Sequence, residues 1–153
     1  MNSAAIETIV RFVAVSPSLA TSGQPTEAQL AAVAEAGFEV VINLALHDDP
    51  NYSLPDEPAT VRALGLVYVH IPVSFSAPEK SHLEPFFAAM DAAHASKVLV
   101  HCAQNKRVPV FLALYRILRL GWERDAALAA MREVWQPDAV WESLIAECLA
   151  NEG

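Results

Sequence analysis

Val98-Leu99-Val100-His101-Cys102-Ala103-Gln104-Asn105-Lys106-Arg107-Val108-Pro109 is the stretch whose reading decides the fold. Ser96-Lys97 introduces a short apolar run, Val98 to Val100 followed by His101, which has the signature of a buried strand. From Val108 onward the pattern is helical, with Val110, Phe111, Leu114 and Leu118 on one stripe and Gly121 as terminator. Strand, short loop and helix in this order suggest the carboxyl end of a strand in an open α/β sheet, where ligands bind. A helix N-terminus offers unpaired N–H groups and partial positive charge, so the segment from His101 to Arg107 reads as an anion-binding loop. Pro109 fits the first helical turn, where its missing N–H leaves no bond unmade. Asn105 is the loop residue best able to take a left-handed backbone. Cys102 would sit beneath the cradle as a nucleophile, with the helix dipole, the loop amides and Arg107 favouring its reactive thiolate form. Arg107 could clamp two anion oxygens, and His101 reads as a support for the loop.

Outward from this loop, short apolar runs alternate with amphipathic segments, the pattern of an α/β fold. A short helix is expected over residues 4–11, then strands over 12–15 and 19–22. Thr26 with Gln29 three positions on forms a capping box, and Gly37 marks the end of that helix. Strands are expected over 38–44 and 66–71, separated by the loop 45–58, which carries His47, Asp48 and Asp49, and by a short helix over 56–64. Helices are expected over 80–94, 123–134 and 138–150. The whole chain, 1–153, reads as one domain: a central, mostly parallel sheet of four to five strands flanked by helices, with an all-helical C-terminal portion.

Composition narrows the function. Hydrophobic residues make up 54% of 153 and charged ones 18%, ample for a sizeable core. Net charge is −8 with only 10 Lys plus Arg, which argues against nucleic acid as a partner. No apolar stretch has the length of a membrane span, and the N-terminal residues do not match a secretory leader. Cys102 and Cys148 are too few for a disulfide scaffold, so reduced thiols and a cytoplasmic location are expected. Cys148 lacks the surroundings of Cys102 and reads as core. No spacing indicates a metal, and no cofactor is expected.

The residues Ala20-Thr21-Ser22-Gly23-Gln24-Pro25-Thr26, Gly37 to Leu44, Tyr68-Val69-His70-Ile71-Pro72-Val73 and the loop His101–Arg107 together resemble a known group. They are similar to bacterial phosphatase-like proteins of the beta-lactamase-hydrolase-like type, within the tyrosine- and dual-specificity-phosphatase-like fold. The resemblance runs over roughly residues 5–147. It implies hydrolysis of a phosphate ester through a cysteinyl-phosphate intermediate. Cys102 would then be the nucleophile, and Arg107 with the amides of Ala103, Gln104, Asn105 and Lys106 would bind the transition state. The substrate would be a small phosphate ester or a phosphoprotein.

The chain departs from the best-known cysteine phosphatases at several points. Four residues separate Cys102 from Arg107 instead of five, Asn105 stands for the usual glycine, and Val108 stands where a hydroxyl residue is common. No aspartate lies in Ser74–Glu79, which leaves Glu79, Asp48 and Asp49 as candidates for the general acid. Two other readings follow from these features. The shorter spacing resembles that of rhodanese-like sulfurtransferases, and the missing acid would suit a phosphate-binding module without turnover.

Overall fold

Alternation along the central strand sorts the molecule into two layers. In the computed structural model, which describes residues 6–150, Val98 and Val100 point to one face of the sheet and Leu99 and His101 to the other. The strands are β1 (Val13–Ser16), β2 (Leu19–Ser22), β3 (Val40–Asn43), β4 (Val67–His70) and β5 (Val98–His101). They lie in the order β1-β2-β5-β3-β4, all neighbours parallel except the β1–β2 pair. Among the described residues the α-helices named here are α1 (Glu27–Glu35), α2 (Glu57–Ala63), α3 (Leu83–Ala92), α4 (Arg107–Leu118), α5 (Arg124–Val134) and α6 (Ala139–Leu149). This is the single-domain α/β fold expected from the sequence.

One face of the sheet carries α1 and α2, with Leu30, Val33 and Val61 packed on Val41 and Leu99. The other face is larger. Val40, Ile42, Val98 and Val100 meet Phe86, Phe111, Leu114, Trp141 and Ile145 from α3, α4 and α6. Cys148 lies in this second layer, as expected for a core thiol, and burial raises its pKa.

Local chemistry sets the element ends. Thr26 and Gln29 complete the capping box of α1, and Gly37 follows with φ 92°. Asp56 caps α2 through Ala59, and Asp138 caps α6 through Trp141. The expected helix over residues 80–94 is a 3-10 turn, Lys80–His82, followed by α3. The expected helix over 4–11 falls partly outside the described residues, and from Glu7 to Arg11 the chain runs in turns. Arg11 there has φ 52°, which is not helical. Among the described residues, no helix is long and apolar enough to cross a membrane.

Candidate active site

β5 ends at His101 in the middle of the sheet, between β2 and β3, and α4 starts six residues later. Period-two alternation places His101 and Cys102 on opposite faces, so the cysteine joins the α3–α4 layer while the histidine joins the α1–α2 layer. Both are fully buried within the fold at 0% exposure, but Cys102 also lines a cavity of about 200 Å³. Phe75, Ala103, Gln104, Lys106 and Arg107 complete its wall.

The loop is curled by Asn105, whose φ of 57° lies in the left-handed region anticipated for it. Its Nδ2 donates to the Arg11 carbonyl at 2.9 Å and to Thr21 Oγ1 at 3.1 Å, so the side chain anchors the turn it forms. Cys102 N donates to the Ser22 carbonyl, which continues the β2–β5 pairing. Among the described residues, no main-chain carbonyl takes the amides of Ala103, Gln104, Lys106 or Arg107. Such a run of free N–H groups at a helix start is a nest for an anion.

Arg107 is buried at the base of α4. Its Nη1 donates to the Val73 carbonyl at 2.8 Å and to the Leu44 carbonyl at 3.4 Å. The guanidinium lies 5.8 Å from the Phe75 ring centre and 6.0 Å from that of Tyr52. Nε and Nη2 take no partner among the described residues, so one edge of the fork remains for an oxyanion. Lys106 Nζ stands 5.9 Å from both the Phe75 and the Trp135 ring centres. Two cations with no carboxylate in the cavity wall make the pocket complementary to a multiply charged anion.

The three carboxylates named from the sequence lie elsewhere. Glu79 is exposed and accepts from Ser81 Oγ at 3.3 Å. Asp49 accepts from Asn51 N and so shapes its own loop, and Asp48 is exposed. None of them lines the cavity.

Several neighbours of the loop were not legible as site residues. Gly23 forms an isolated antiparallel bridge to Gln104, and Gln24 N donates to the Ala103 carbonyl at 2.9 Å. A Cβ on Gly23 would stand 2.5 Å from that same carbonyl oxygen, so glycine permits the close approach. Gln24 Nε2 donates to Glu57 Oε1 at 2.9 Å, and Glu57 Oε2 lies 2.6 Å from His101 Nε2. Glu57 stands in the first turn of α2, where a dipole-favoured carboxylate is ordinary, so its sequence position carries no signal of burial. Tyr52 and Phe75 sit in irregular segments without periodicity.

Known proteins resemble the chain in sequence and in fold. Residues 10–118 match the family described as beta-lactamase hydrolase-like protein, phosphatase-like domain, and the chain belongs to that family. The crystal structure of a candidate phosphatase (DUF442) from Shewanella putrefaciens CN-32 is 33% identical with a TM-score of 0.84, covering 97% of each chain. The dual specificity protein phosphatase TpbA of Pseudomonas aeruginosa (strain UCBPP-PA14) is 26% identical over 130 residues, 84% of this chain. The chain spans 56% of that relative's length. A cysteine-variant TpbA crystallised with phosphotyrosine shares the fold at a TM-score of 0.64 and 21% identity, covering 92% of this chain and 82% of that one. Tk-PTP in its active form does so at 0.77 and 21%, covering 92% and 97% respectively.

Proposed function

We propose that this member of the phosphatase-like family hydrolyses a phosphate monoester through a cysteinyl-phosphate intermediate on the loop His101–Arg107. The observation that carries the reading is the juxtaposition in one cavity of Cys102, Arg107 and a run of unpaired loop amides. The Cys102 thiolate attacks phosphorus, the ester P–O bond breaks, and the leaving oxygen takes up a proton. Water then attacks the phosphoryl group, the S–P bond breaks, and inorganic phosphate leaves with the thiolate restored. Arg107 and the amides of Ala103, Gln104 and Lys106 hold the equatorial oxygens as charge builds on them, while Asn105, buried outside the cavity wall, shapes the turn that presents them.

Proton delivery shapes the substrate range. Glu79, Asp48 and Asp49 remain the candidate acids, and each needs loop movement to reach the cavity. Without a poised acid the reaction forfeits about 10²–10⁴ in rate for poor leaving groups. Aryl phosphates, phosphotyrosine among them, are therefore favoured over alkyl phosphates. The free cysteines suit a reducing compartment, and we assign the protein to the cytoplasm. The family match and the phosphatase relatives carry this reading over sulfur transfer.

The test is turnover of p-nitrophenyl phosphate and a phosphotyrosine peptide, with acid-quenched samples examined for phosphorylated Cys102 by mass spectrometry. Release of phosphate by wild type and its loss in Cys102→Ser are expected. Equal turnover by Cys102→Ser overturns the mechanism, and anion binding without hydrolysis of either substrate identifies a binding module instead.

A further inference from the structure

A second cavity lies at the β1 edge of the sheet, bounded by β1, β2, α4 and α5 and separate from the one over Cys102. Its volume is about 300 Å³, within the size range of small-molecule sites. Val13 and Thr21 are partners across β1 and β2, so both side chains share one face of the sheet and line the cavity together. Pro109 and Leu112 of α4, with Met131 and Val134 of α5, supply apolar walls. Ala130 of α5 also faces this space, and its single methyl leaves the gap between helix and edge strand unfilled.

Arg116 is the cation of this wall. It is half-buried on α4, and burial lowers its pKa. After α4 the chain doubles back: Trp122 N donates to the Arg116 carbonyl at 2.9 Å, and the guanidinium carbon stands 4.2 Å from the Trp122 ring centre. Stacking of this kind occupies a face of the guanidinium and leaves its in-plane N–H donors for an acceptor. Among the described residues Arg116 forms no ion pair and its side chain donates no hydrogen bond. Nearby arginines do find carboxylates, Arg119 with Asp91 and Arg132 with Glu142. In a chain with 18 acidic residues against 10 Lys plus Arg, free arginine donors in a cavity wall are out of pattern. Glu133 is the carboxylate of the same wall, and it is exposed. It disfavours a second negative charge on an occupant, whereas the Cys102 cavity has two cations and no carboxylate.

We propose that this cavity is a further ligand site, for a small amphipathic monoanion: a carboxylate on an aliphatic or aromatic tail. The carboxylate accepts from the Arg116 guanidinium beside Trp122, and the tail lies among Val13, Leu112, Met131 and Val134. Charge complementarity orients the head, and removal of apolar surface from water drives the tail inward. The site is independent of whether Cys102 is a nucleophile.

Octanoate is the probe, with octylammonium as the control of equal chain length and opposite charge. In protein carrying ¹³C at the methionine methyls, the Met131 signal is expected to move saturably with octanoate, with a Kd of about 1 mM or tighter. Met90, packed elsewhere in the core, is expected to stay. A still Met131 signal, or octylammonium binding as tightly as octanoate, overturns the proposal, and neither result needs a substitution to fold. Arg116→Met, checked for cooperative thermal unfolding, is expected to bind octanoate about tenfold more weakly, and Arg116→Lys to recover part of the loss. A folded Arg116→Met protein with wild-type affinity overturns the assignment of the head group. Ala130→Phe fills the cavity and leaves Arg116 in place, so it is expected to abolish the Met131 response. An undiminished response in folded Ala130→Phe puts octanoate elsewhere and overturns the site.

Discussion

Asn105 does two jobs that a glycine in its place would divide. It takes a left-handed φ of 57° and spends its Nδ2 on the Arg11 carbonyl and Thr21 Oγ1. Alanine would suffer the steric cost of that conformation and lose both bonds, together about 2–4 kcal/mol. Glycine would relieve the backbone and still lose the bonds, about 1–3 kcal/mol. Urea unfolding is expected to rank the variants wild type, Asn105→Gly, Asn105→Ala, and the reverse order of the two variants would refute the backbone argument. The same reasoning marks what is legible at this scale. A residue type that tolerates positive φ can be read from sequence, and so can a cysteine facing a helix start. Glu57 could not be read, because what buries it is a contact with His101 across 44 positions of the chain.

At the scale of elements, the strand–loop–helix unit was legible because a period of two gives way to a period of 3.6 within a few residues. The bounds moved little: Val108 was expected to begin the helix and Arg107 begins it. The segment 45–58 was legible as a loop but not as one wall of the Arg107 site, since Tyr52 has no pattern around it. What joins elements is also hidden in sequence. Gly23 brings the end of β2 against the loop His101–Arg107, where an added Cβ would stand 2.5 Å from both the Ala103 oxygen and Val10 Cγ1. Gly23→Ala is expected to cost about 1–3 kcal/mol of stability. It should also lower kcat/KM on p-nitrophenyl phosphate, because the backbone that must yield is that of the anion nest. A variant destabilised to that extent but with wild-type kcat/KM would show that the bridge serves folding alone.

For the molecule as a whole, the Glu57–His101 pair makes stability depend on pH in a definite direction. The Glu57 carboxyl is held below 4.5 in the folded state, so its contribution is present above that pH and is lost as pH falls through the lowered value. Urea midpoints of wild type are therefore expected to drop below pH 4.5, and Glu57→Gln to flatten that part of the profile. An unchanged slope would contradict the assignment of the charge. At neutral pH, Glu57→Ala leaves the buried His101 Nε2 and the Gln24 amide without their partner and is expected to cost about 1–3 kcal/mol in urea unfolding.

The indole of Trp141 is buried, and its Nε1 donates to the Phe75 carbonyl at 2.8 Å, while Trp135 meets Phe75 at 5.7 Å and Trp141 at 6.2 Å between ring centres. Phe75 is also a wall of the cavity over Cys102. The chain therefore carries its own optical gauge: an occupant that displaces Phe75 must disturb the emission of two indoles without any attached dye. Trp122 is 41% exposed and stacks on Arg116, so Trp122→Phe removes a background signal remote from the cavity. Titration of Trp122→Phe protein with inorganic phosphate is expected to change its emission saturably, and a flat titration despite calorimetrically detected binding would show that Phe75 stays still when the pocket fills.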